Sequence, residues 1–259
     1  MSGTLRTQVG QLARRSVLRT LRQPAQIVPA MLFPLFMLAI NSGGLKDATS
    51  LPGFPTDSYI TFVLAITFVV GAQYSVMNSG TDLARDVETG FLNRMALTPL
   101  RGTALLSGLL AGSFLLGLFQ AVAFLSIGLI AGAELAAGTG GALVVVLLSV
   151  TITVAFGSIG LFAALRTGSG EAVQSLFPVF FVFLFISAMA LPLELIQTDW
   201  FHTVASINPV TYLLEAFRSL FIDGWDGGAL ALGFGIALAI LAVGMTASAS
   251  ALKTRLVRT

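Results

Sequence analysis

Six long runs of apolar residues, separated by short charge-bearing segments, constrain this chain more than anything else in it. They cover roughly 23–40, 58–79, 103–131, 141–165, 172–191 and 229–252, and none contains Asp, Glu, Lys, Arg or His. A bilayer core of about 30 Å takes about 20 residues of helix, and a backbone in lipid must satisfy its own hydrogen bonds. The fold class expected is therefore all-α integral membrane, with six transmembrane helices in one domain over residues 1–259. A mean hydropathy of +0.91 agrees, since only 10% of residues are charged where a soluble domain carries about a quarter. The first run is short and holds Pro24, Pro29 and Pro34, which a membrane tolerates when neighbouring helices cover the freed carbonyls.

Cysteine is absent and His202 is the lone histidine, which excludes disulfides and thiol chemistry and argues against a structural zinc site. The stretch Ala13-Arg-Arg-Ser-Val-Leu-Arg19 has the look of a twin-arginine export signal. The prolines in the run behind it, the lack of a small-residue cleavage site and the five further spans argue against that reading. If both termini are cytoplasmic, twelve of the fourteen Lys and Arg residues fall inside, and only Lys46 and Arg218 fall outside. That bias sets the orientation.

The segment between the second and third runs is the least expected in so apolar a chain. Asp82, Arg85, Asp86, Glu88, Arg94 and Arg101 crowd into it. One charge at the bilayer centre costs about 2.5–3.5 kcal/mol, so the segment belongs outside the hydrocarbon. Leu83, Val87, Phe91 and Met95 recur every four residues, which predicts a short amphipathic helix over 81–98. Ser79 or Thr81 would cap its start and Pro99 would stop it. Gly90 breaks the pattern, because an interior glycine costs about 1 kcal/mol relative to alanine; close approach of another chain is one reason to keep it. The helix is either an interfacial element lying on lipid or a docking surface for a cytoplasmic partner.

The run Arg85-Asp-Val-Glu-Thr-Gly-Phe-Leu-Asn-Arg-Met-Ala-Leu-Thr-Pro-Leu-Arg101 resembles the loop before the third span of type-2 ABC exporter permeases, closest to the daunorubicin-resistance type. Ile207-Asn-Pro-Val-Thr-Tyr-Leu-Leu-Glu-Ala-Phe-Arg218 is similar to that family's Asn-Pro-x-Thr-Tyr segment. The resemblance implies a permease subunit moving a drug, lipid or lipid-linked glycan outward across a bacterial plasma membrane. It would pair as a homodimer with two copies of a separate ATP-binding subunit, which would bind ATP and magnesium. Asp86, Glu88, Gly90, Phe91, Arg94 and Pro99 would then form the coupling helix. No Walker A loop is possible here, because Lys46 and Lys253 both follow leucine rather than glycine. No cofactor and no nucleic acid are expected for this chain, and no enzyme activity.

The first 22 residues hold five arginines and no acid, with Leu5, Val9, Leu12 and Val17 on one face. They read as a basic interfacial helix on the membrane lipid. Between the last two runs, 192–227 is expected outside. Asn208 caps a helix there, Pro209 opens it and Gly224 follows its end. By resemblance this is a re-entrant helix carrying Asn208, Pro209, Tyr212, Glu215 and Arg218; the alternative is an interfacial helix in which Glu215 and Arg218 pair. The resemblance also implies that spans two and five line a central cavity, which singles out Phe68, Gln73, Phe180 and Phe183, although phenylalanines in a span more often pack or face lipid. Gly108-x-x-x-Gly112 and Gly128-x-x-x-Gly132 read as close helix packing. Three rivals stand against this reading: an ion-coupled secondary carrier, disfavoured because the spans hold no ionisable group; a membrane-embedded enzyme acting on lipid, disfavoured because the chain has one histidine and scattered outward acids; and an accessory subunit that binds an ATPase without transporting.

Overall fold

The computed structural model describes residues 5–96 and 102–257, and every regular element among them is helical. Five helices are long and apolar enough to cross a membrane. They are α2 (Pro24–Gly44), α3 (Tyr59–Glu88), the pair α5 (Gly102–Leu109) and α6 (Ala111–Ile130), α7 (Gly138–Thr167) and α12 (Gly227–Val257). The amphipathic α1 (Leu5–Leu21) precedes them, and α4 (Phe91–Ala96) follows α3.

The run 172–191 is not the single helix expected. It folds as α8 (Gly170–Gln174) and α9 (Phe177–Phe185), and residues 186–192 leave helical geometry. Pro178 accounts for the first break: it has no N–H for the Gln174 carbonyl and sits in the first turn of α9, where that N–H is not needed. Even as one unit, Gly170–Phe185 is only about 24 Å long, short of the bilayer core. Five complete spans and one interrupted segment thus stand where six spans were anticipated.

Helix α3 is the axis of the bundle. Ser58 caps it, its Oγ accepting from the Thr61 N–H, and 30 residues at 1.5 Å each give about 45 Å. It packs on α2, α6, α7, α8, α9 and α11 (Pro209–Arg218). In its most apolar stretch 89% of residues are buried, against 17% for α2 and for α12, which lie at the outside of the bundle. The tightest crossing is with α7. A Cβ at Gly160 would collide with the Val76 carbonyl, and Ser79 Oγ donates to Gly157 O at 2.7 Å.

Two further contacts seat the peripheral helices. Pro34 cannot donate to the Ala30 carbonyl one turn back; Gln120 of α6 replaces the lost donor, its Nε2 lying 3.0 Å from Ala30 O and 3.1 Å from Gly71 O. Helix α1 lies on α5 and α6, with Leu12 and Ser16 buried against Gly108 and Gly112. The first glycine pair is thus a packing surface, as expected. In the second, Gly128 packs on Leu64, whereas Gly132 lies past the end of α6 with no neighbour within 4 Å.

Candidate functional site

The charged segment after the second span is built differently from the separate helix anticipated. Residues 81–88 are the last turns of α3, so neither Ser79 nor Thr81 is a cap: Ser79 donates to Ser75 O and Gly157 O, and Thr81 to Met77 O. The break comes at Gly90, with φ of +66°, a conformation in which a Cβ is strained. Nothing lies within 4 Å of a Cβ built there, so backbone geometry, not close approach within this chain, accounts for the glycine. It ends α3 and starts α4, which carries Phe91 and Arg94. Pro99 lies outside the described residues.

Asp86, one of the residues of the coupling assignment, has its carboxylate engaged within the chain. It is 4% exposed and held bidentately by Arg15 of α1, at 2.8 and 2.7 Å, with Arg19 at 3.0 Å. Arg19 also bridges to Asp82 at 3.0 Å, and Gln23 donates to the same carboxylate. The hydrogen bonds to Asp86 push the Arg15 pKa further up. The Arg15 guanidinium also lies over the Phe91 ring, 4.1 Å from its centre, a cation–π contact. One arginine thereby ties α1, the end of α3 and the start of α4 together. Glu88 and Arg94 remain exposed, and Glu88 accepts from the Gly170 N–H at 3.3 Å.

Arg15, Arg19 and Asp82 had no place in the coupling assignment. The signal was present: Arg15 and Arg19 stand four apart on one helix and Asp82 and Asp86 four apart on another, so each pair projects from one face. Matching the two faces required knowing that the helices meet.

The outer segment has its own polar centre. Asn208 caps α11, its Oδ1 accepting from the Val210 N–H at 2.9 Å, while its Nδ2 donates to Phe183 O at 2.6 Å. Pro209 opens the helix, and a π-helical turn at Ser219–Asp223 leads to Gly224. Arg218 is 2% exposed and donates to Ala188 O and Met189 O at 2.7 Å and to Phe62 O at 3.4 Å. It pairs with Glu215 at 2.7 Å and lies over the Phe62 ring. Leu213, Leu214 and Phe217 of this helix are fully enclosed, and Glu215 and Arg218 pair as the interfacial alternative had them. Tyr212 donates to Ser206 O, tying α11 to α10 (Asp199–Ile207). These groups satisfy the backbone that α9 leaves open where it stops.

Of the four cavity candidates, the structure brings Gln73 and Phe180 together, the Gln73 Nε2 donating to Phe180 O at 3.4 Å; Gln73 Oε1 is buried with no partner. Phe68 is core, stacked on Phe217 with ring centres 4.7 Å apart. Phe183 is 42% exposed on α9.

Residues 7–222 match the family of ABC-2 type transporters. The chain belongs to that family. It is also similar to the proteins named "Putative transport permease ycf38" of Pyropia yezoensis, 29% identical over 85% of this chain and 76% of the relative, and of Porphyra purpurea, 27% identical over 83% and 74%. As a family member it is a multi-pass membrane permease of an ABC transporter, a transport subunit of the kind that works with an ATP-binding subunit.

Proposed function

We propose that this permease exports a hydrophobic or amphipathic substrate by alternating access, as a homodimer driven by two copies of an ATP-binding subunit, with both termini on the cytoplasmic side of a bacterial plasma membrane. Drug, lipid and lipid-linked glycan all fit an apolar bundle. The observation that carries the reading is the continuity of α3. A push on α4 passes through Gly90 into a 30-residue helix that is the most enclosed element of the bundle, so displacement there is felt at its outer end, beside Arg218. Glu88, Phe91 and Arg94 are the contacts for the ATPase, while Asp86 acts from inside by holding α1 to the moving helix.

The free ionisable group that an ion-coupled carrier needs at mid-membrane has no counterpart here among the described residues: Asp82 and Asp86 are engaged by arginines, and Arg218 by Glu215 and carbonyls. The test is charge reversal, Glu88→Lys with Arg94→Glu, in proteoliposomes holding permease and ATPase. Substrate-stimulated ATP hydrolysis and export are expected to fall together while the two subunits still co-purify less tightly. Intact stimulation and export would remove the coupling role.

A further inference from the structure

Beside the arginine–aspartate clasp, α1, α3 and α6 meet around a cavity of about 20 Å³. One water takes about 10–15 Å³ of such space, so there is room for a single water and for nothing larger. Each helix contributes polar side chains to it: Arg15, Arg19 and Thr20 from α1, Asn78 and Asp82 from α3, and Ser113 from α6.

Two of these groups have no use within the chain. Ser113 is 4% exposed, and neither its Oγ nor the enclosed Nδ2 of Asn78 has a hydrogen-bond partner among the described residues. Such unpaired buried groups are rare. A serine in a helix ordinarily turns its hydroxyl to a carbonyl one turn back, but here the Leu109 carbonyl is already taken by the Ser16 hydroxyl at 2.8 Å. Asp82 has acceptor capacity to spare, because Arg19 and Gln23 both bond its Oδ1.

The charges on the walls select the occupant. Two guanidiniums line the cavity against a cation, and the Asp82 carboxylate lines it against an anion. We infer that this cavity binds one resident water, which accepts from the Asn78 amide, shares a hydrogen bond with the Ser113 hydroxyl and donates to the Asp82 carboxylate. Among the described residues no direct hydrogen bond joins α6 to Arg15, Arg19, Asp82 or Asp86; the water supplies that link. A bridge through water can be exchanged for bulk solvent when Arg19 and Asp82 part, so the clasp opens without leaving Asn78 and Ser113 bare. The inference rests on contacts inside one chain, and so on neither the membrane orientation nor the direction of transport.

The experiment is hydroxyl-radical footprinting by radiolysis, read by mass spectrometry, of the full-length permease with its ATP-binding subunit in nanodiscs. Radicals formed from a resident water oxidise the side chain beside it, and Leu109 lines the cavity. Leu109 should be oxidised well above Leu105 and Leu110, which are similarly buried but do not line it. Ser113→Val and, independently, Asn78→Leu each remove a partner and fill the space, and each should bring Leu109 down to the level of those neighbours. Ser113→Ala adds a test of sign. Where the hydroxyl bonds a water, its loss lowers the melting temperature by about 2–4 °C; in a dry cavity, losing an unpaired hydroxyl raises it or leaves it unchanged. Leu109 oxidised no more than Leu105 and Leu110, oxidation that survives both filling substitutions, no fall in melting temperature for Ser113→Ala, or protection of Leu109 by sodium or phosphate ions would each overturn the inference. ATP plays no part in these measurements, so failure here leaves the coupling reading standing, and failure of coupling leaves this site standing.

Discussion

The two ends of α3 solve the same problem in opposite ways. At the inner end two carboxylates, Asp82 and Asp86, are closed by two arginines delivered from α1. At the outer end a single arginine, Arg218, is closed mostly by backbone carbonyls, with one carboxylate that is itself 40% exposed. The inner cluster joins helices that are each complete; the outer one repairs a helix that stopped. On the inner side Arg15 keeps 35% side-chain exposure although its partner Asp86 keeps 6%, whereas Arg218 at 3% is closed off. A pair that can rehydrate can be opened and closed, which suits the end where an ATPase acts, and a cation that cannot is a fixed point.

This difference can be broken deliberately. The largest effect is expected for Arg218→Met, which strips the donors from Ala188 and Met189: removing one member of a buried charged network costs about 3–5 kcal/mol, seen as a lowered melting temperature in detergent and as new proteolysis at 186–192. Arg218→Lys should recover little, since an ammonium cannot replace the planar fork over Phe62. A loss below about 1 kcal/mol would show that the outer end needs no cation, against the usual cost of unpaired buried groups.

Next in size is Asp86→Ala at about 1–3 kcal/mol, less than at the outer end because Arg15 returns to water. Combining it with Arg15→Ala should be markedly less than additive in thermal melts; strict additivity would dissolve the clasp. Gly90→Ala comes third, at about 1–2 kcal/mol for a side chain in left-handed geometry, with ATPase stimulation reduced more than the melting temperature. The smallest is Glu215→Gln, below about 1 kcal/mol because that carboxylate is 40% exposed and the amide can still accept from Arg218. A loss as large as that of Arg218→Met would make the outer site an ion pair like the inner one.

The sequence was a good guide wherever one stretch answers to one solvent. The apolar runs place α2, α7 and α12 to within a few residues, and Asn208, Pro209 and Gly224 frame α11 as their types require. It was a poor guide at 81–98, where a change from apolar to charged composition looks like the start of a new helix although α3 runs on to Glu88 and breaks only at Gly90. It also failed at 172–191, where uniform apolarity hides the break at Pro178 and the stop after Phe185.

Lipid acts on each residue of a run independently, so hydropathy alone determined that this chain is helical, spans a membrane and concentrates its charge between the second and third spans. Whether Asp86 faces a partner or Arg15, 71 positions away, whether Arg218 floats at an interface or anchors 188–190, and whether Pro34's lost hydrogen bond is made good by Gln120, 90 positions from the carbonyl it serves, were decided only by the tertiary structure. Ion pairs and hydrogen bonds act over about 3 Å, and such distances exist only after the helices have packed.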